Sequence, residues 1–125
     1  MTNAMLYVGA AIVIVWGLTH IVIPTRSVID GFGPISLDNR RTLLMEWLME
    51  GVLLIFVGVL VILVTIVAQP PGQTAIVVYR ACASVLVVMA GVSLFTGART
   101  SVLPMRLCPA IFLTSALLIF LPTVL

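Results

Sequence analysis

The sequence predicts an all-α fold, a four-helix transmembrane bundle spanning residues 1–125 as one domain. Three observations carry that prediction. Hydrophobic residues make up 62% of the chain and charged residues only 8%, where a soluble domain carries roughly 25% charged residues. The mean hydropathy is +1.34, and the apolar residues gather into four stretches near the roughly 20 residues needed to cross a hydrocarbon core of about 30 Å. Between those stretches lie the turn formers and nearly all of the charge.

The first stretch, residues 5–23, is closed by Pro24. No Lys or Arg precedes it and no A-x-A-like site follows, so it reads as a span and not as a signal peptide. The second covers about 43–68. A helix of that length reaches roughly 39 Å at about 1.5 Å per residue, so its first turn is expected among the lipid headgroups. The third covers about 75–95 and the fourth 107–125.

The connections differ. Residues 68–74 make a tight turn on Pro70, Pro71 and Gly72. Residues 96–106 form a polar link carrying Arg99, Thr100, Ser101 and Arg106, and Pro104 and Pro109 bracket the start of the last helix. Residues 24–41 are the outlier, because bundle connections usually run about 2–8 residues and longer ones are often functional. Asp30-Gly31 and Gly33-Pro34 are turn signals in this segment, and Asp38 is the expected cap of the second helix.

Arg26, Arg40, Arg41, Arg99 and Arg106 flank the first and third connections, and the second has none. The positive-inside rule then puts both termini outside and those two connections in the cytoplasm, for a multi-pass membrane protein. Tyr7 and Tyr79 fall near the outer boundary and Trp47 near the inner one. Arg80 is the one charge elsewhere, on a face with Ser84, Val87 and Gly91 that reads as a stripe of small residues for helix packing.

Several function classes lose their support. A net charge of +2 with no basic run gives no footing for nucleic acid. No CxxC, HExxH, P-loop or GxGxxG occurs. Cys82 and Cys108 sit at depths about 18 Å apart at about 1.5 Å per residue, beyond a disulfide's Cα reach of about 7 Å. One His with two Glu lacks a second His or an H-x-x-E spacing, so no metal and no cofactor is expected.

The polar residues nevertheless converge on the cytoplasmic side. His20 ends the first helix with Gly9, Val13, Trp16 and Gly17 on its side, while Glu46 and Glu50 share one face at the head of the second. A carboxylate at a helix centre costs about 2.5–3.5 kcal/mol on insertion scales, so a buried one faces an interior and has a partner. The expected site therefore has His20, Glu50 and Glu46 as acid–base groups, Arg99 and Arg106 as positive charge, and Trp16 and Trp47 as ligand-binding walls. Residues 24–41 are expected to lie across it. The competing expectation is local: a helix N-terminus favours negative charge by about 0.3–1 kcal/mol, and Arg40, Arg41, Arg99 or Arg106 would pair with the carboxylates.

WGLTHIVIPT, GFGPISLDNRR, MEWLMEG and LFTGARTSVLPMRLCP together resemble the signature of a group of small four-span bacterial membrane proteins. The layout is similar to that of DoxX-like proteins in size and span count. The resemblance implies a four-span inner-membrane fold and assigns no residue a role. A bundle holding one His and two Glu is also similar in chemistry to the emopamil-binding sterol isomerases, in which such groups move a proton within the membrane. The spacing and chain length here are not theirs.

The function expected on these grounds is binding of a lipid-like or quinone-like amphiphile against His, Glu and Arg, with acid–base chemistry if Glu50 and His20 meet. An accessory subunit docked on a larger membrane complex through small-residue faces is the alternative. An oligomeric channel or transporter, with Arg80 lining its path, is a third reading.

Overall fold

The computed structural model describes residues 2–22 and 25–125, with the side chains of all of these except residues 2 and 25–27. Pro24, expected to close the first helix, and the Arg26 side chain lie outside the described residues. The elements are α1 (Thr2–Val22), α2 (Thr25–Asp30), α3 (Leu37–Val67), α4 (Gln73–Phe95) and α5 (Leu103–Phe120), with single 3-10 turns at Gly97–Arg99 and Leu121–Thr123. The fold is all-α, and α1, α3, α4 and α5 are each long and apolar enough to cross a membrane.

The long connection is built, not loose. It contains α2, whose Ile29 is buried, and a turn in which Gly33 takes a φ of +81°. That left-handed conformation favours glycine because it has no Cβ to clash. Asp30 pairs with Arg40 across the turn. The second span starts earlier than residue 43, at Leu37, and its cap is Ser36 and not Asp38. The Ser36 hydroxyl accepts the Asn39 N–H at 3.2 Å from an extended backbone, satisfying one of the donors a helix start leaves unpaired. Asp38 instead stands in the first turn, where a carboxylate meets the positive end of the helix dipole.

α1 and α3 lie back to back. On α1, Ala10, Val13, Gly17 and His20 are buried, and on α3, Gly51, Leu54, Gly58, Val61 and Thr65 are. Each set recurs at alternating steps of three and four, the spacing of one helical face. Gly17 faces Gly51 and Ala10 faces Gly58, so the helices run antiparallel. A Cβ placed on Gly17 would lie 2.7 Å from the Gly51 carbonyl oxygen, and one on Gly51 would lie 2.9 Å from that of Gly17. The backbones touch there. In lipid, where hydrophobicity does not drive helices together, such close packing is a principal source of association.

α4 packs chiefly on α5, and α1 joins the two pairs by contacting α5 as well as α3. Phe112, Ser115 and Ile119 of α5 are fully buried in this seam. The contact of α3 with α4 is lighter and includes a hydrogen bond between the Thr65 and Tyr79 hydroxyls at 3.0 Å. Tyr79 thus turns inward and is buried; a buried phenol needs a partner for its hydroxyl, and Thr65 supplies one.

The Arg80 face also departs from expectation. Arg80, Ser84 and Val87 are exposed, and a Cβ on Gly91 would meet nothing within 4 Å, so this stripe packs against no other helix among the described residues. Arg80 donates to the Thr123 hydroxyl at 3.2 Å and to the Thr123 carbonyl at 3.1 Å, which ties α4 to the final 3-10 turn and takes Arg80 away from the helix interfaces.

The packing separates glycines that are required from one that is not. Gly17→Ala and Gly51→Ala are each expected to cost about 1–3 kcal/mol, the usual range for overpacking. Gly91→Ala should be neutral or stabilise by up to about 1 kcal/mol through helix propensity. Thermal unfolding of the three variants in one detergent checks this.

Candidate functional site

The close approach of α1 and α3 places the end of one beside the beginning of the other, and α2 and the start of α5 meet them there. His20 is 2% exposed. Its Nδ1 lies 2.9 Å from the carbonyl oxygen of Trp16, one turn earlier. A carbonyl only accepts, so Nδ1 carries the proton, and in the neutral ring Nε2 keeps its lone pair. Nε2 lies 3.8 Å from Oε2 of Glu50. At that distance the two groups are electrostatic neighbours, too far apart for a direct hydrogen bond.

Aromatic rings enclose the imidazole. Trp47 stacks on it with centroids 4.6 Å apart and 29° between planes, and Trp16 stands edge-on at 5.7 Å and 69°. Cys108 arrives from α5, and its Sγ, a ring nitrogen of His20 and a carboxylate oxygen of Glu50 all lie within 4.8 Å of one another. The thiol donates to the Pro104 carbonyl at 3.4 Å. The indole N–H groups of Trp16 and Trp47 are buried and make no hydrogen bond among the described residues.

Beside this cluster is a cavity of about 240 Å³ lined by Trp16, Thr19 and His20 of α1, Val28 of α2, Trp47 of α3, and Leu103, Pro104 and Leu107 of α5. Trp16 also forms one end of a shallower apolar groove of about 390 Å³, where Val8, Ala11, Ile12 and Val15 face Ile111. One indole is therefore shared by a largely apolar cavity, with Thr19 and His20 in its wall, and an apolar trough along α1.

The structure brings together His20, Glu50, Trp16 and Trp47, and leaves out Glu46, Arg99 and Arg106. Glu46 is exposed and has no ion pair among the described residues. At 3.6 residues per turn it stands about 80° around α3 from the buried Leu54, whereas Glu50 stands about 40° away. Sharing a face was not enough, because the edge of the interface runs between them. Arg99 is exposed with its guanidinium 5.5 Å from the Phe95 ring, and Arg106 is exposed on α5. Neither lines the cavity. The expected arginine–glutamate pairing gives way to Arg40–Asp30 and His20–Glu50. Within residues 24–41, Val28 reaches the cavity wall.

Cys108 is the member that sequence reasoning placed at this end without assigning it to the site. Its partners lie on two distant helices, so only the rotation of α5 brings it in. Comparison of the chain with protein-family models, with curated proteins and with solved structures finds no match, and the site is read from its own geometry.

The two glutamates are therefore expected to behave differently. Glu46→Gln should leave stability within about 0.5 kcal/mol, as for surface changes generally. Glu50→Gln should cost on the order of 1–3 kcal/mol, less than the roughly 3–5 of a fully buried pair because its carboxylate is 30% exposed. Thermal unfolding of both variants decides between this and two equal, small effects.

Proposed function

We propose that this multi-pass membrane protein resides in a bacterial inner membrane and binds a lipid-like or quinone-like amphiphile at the cytoplasmic end of its bundle. The observation that carries the reading is the junction at Trp16: a largely apolar cavity with His20 in its wall lies on one side of the indole and an apolar groove runs along the other. The head would occupy the cavity and the tail the groove. Buried donors are normally hydrogen-bonded, and the indole N–H groups favour a head rich in acceptor oxygens, such as a carbonyl or an ester. His20, in the cavity wall and 3.8 Å from the Glu50 carboxylate, would be the acid–base group offered to such a head. The orientation follows from Arg40, Arg41, Arg99 and Arg106, which belong to the same end of the antiparallel bundle as the cavity.

The chain contains two tryptophans, and both line this cavity, Trp16 bordering the groove as well, so intrinsic fluorescence reports on the proposed head and tail sites. A short-chain quinone titrated into the detergent-solubilised protein should quench the emission saturably at about one equivalent of bound ligand. Quenching that rises linearly, as for free tryptophan analogues in the same micelles, contradicts the reading.

Orientation is tested separately. Both native cysteines are buried, so single introduced thiols can be followed in intact cells. Gln73→Cys should react with an impermeant maleimide from outside, and Ser36→Cys only after lysis. The opposite pattern would invert the topology.

A further inference from the structure

We infer that His20, Glu50 and Cys108 form a three-ligand site for a thiophilic divalent cation of the zinc class. The site shares two residues with the proposed pocket, but it rests on their geometry and not on amphiphile binding. The three side chains come from three helices, α1, α3 and α5, and their donor atoms already lie within 4.8 Å of one another. Tetrahedral zinc with bonds of about 2.0–2.3 Å holds its ligands about 3.4–3.6 Å apart. The His20–Glu50 separation of 3.8 Å is close to that, and the remaining closure is within the reach of side-chain rotation.

Ligand chemistry and charge agree. A thiolate, an imidazole and a carboxylate are all established zinc donors, and three protein ligands leave the fourth position open. One thiolate and one carboxylate carry two negative charges, so a divalent ion with a neutral imidazole makes a cluster of zero net charge. Zero charge matters where an isolated ion is costly to bury.

The surroundings are those of a prepared ligand set. Metal-binding histidines donate their second ring N–H to a carbonyl or carboxylate, which fixes the tautomer and the ring direction. The Trp16 carbonyl does this for His20 Nδ1. The stacked Trp47 ring and the edge-on Trp16 ring hold the imidazole plane. Binding converts the Cys108 thiol to a thiolate with release of its proton, and the bond the thiol donates to the Pro104 carbonyl is exchanged for the bond from sulfur to metal. His20 also lines the cavity, so the open position is one that water or an oxygen of a bound head can fill.

The test uses Co²⁺ as probe on the full-length protein in mild detergent. One equivalent should produce the thiolate-to-cobalt charge-transfer band. The band should vanish in Cys108→Ser, persist in Cys82→Ser, and need at least tenfold more metal in Glu50→Gln. A wild-type protein without the band, or a band that survives Cys108→Ser, overturns the site. In case Cys108→Ser does not fold, the wild type provides a second readout: Zn²⁺ should slow maleimide modification of Cys108 at least tenfold while leaving Cys82 unchanged, and equal rates with and without Zn²⁺ overturn the proposal. Because the metal alone is the probe, loss of this result with quinone quenching intact defeats only the metal site. The reverse outcome defeats only the amphiphile reading.

Discussion

Everything at the candidate site depends on two helix backbones touching where Gly17 meets Gly51. Each glycine occupies the space that a Cβ on the other would need, so α1 and α3 come as close as helices can. A turn further along, that closeness sets His20 against Trp47 and Glu50. Wider spacing would leave the imidazole and the carboxylate each facing lipid or water, and the buried histidine would lose its charged neighbour. A packing contact with no chemistry of its own thus fixes the geometry of one that has it.

The second constraint is electrostatic. A carboxylate this far into an apolar helix is tolerated where something positive meets it, and among the described side chains no arginine is paired with Glu50. Arg40 is engaged with Asp30, and Arg99 stacks on Phe95. The imidazole is left as the partner of Glu50, and its tautomer, fixed by the Trp16 carbonyl, turns a lone pair toward the carboxylate. The metal proposal takes this pair as two of its three ligands.

Much of the fold was legible because hydropathy acts over whole helices. Four apolar stretches became four long helices, and the Pro70–Pro71–Gly72 turn and the polar link at 96–106 both separate helices as expected. Helix ends were less legible: Ser36 and Asp38 are both competent caps, and only the backbone path chooses between them. The site was partly legible. His20 and Glu50 stand out as ionisable groups in apolar helices, and depth alone puts them at one end. Rotation about the helix axis is what one sequence conceals. Glu46 and Glu50 share a face on paper, yet the interface edge divides them; Tyr79 turns inward and Arg106 outward for the same reason. Cys108 joins through the azimuth of α5, which no local pattern encodes.

The central claim is the His20–Glu50 contact, and one distance tests it. The chain has a single histidine, so ¹⁵N-histidine labelling marks His20 alone. With ¹³C at the glutamate side-chain carboxyl in a Glu46→Gln background, Glu50 becomes the one labelled glutamate. Solid-state dipolar recoupling between Nε2 and that carbon, recorded in lipid bilayers, should show dephasing for a separation under about 5 Å, as the 3.8 Å Nε2–Oε2 distance requires. No dephasing would mean that the imidazole and the carboxylate do not face each other, and both proposals built on their meeting would fall with it.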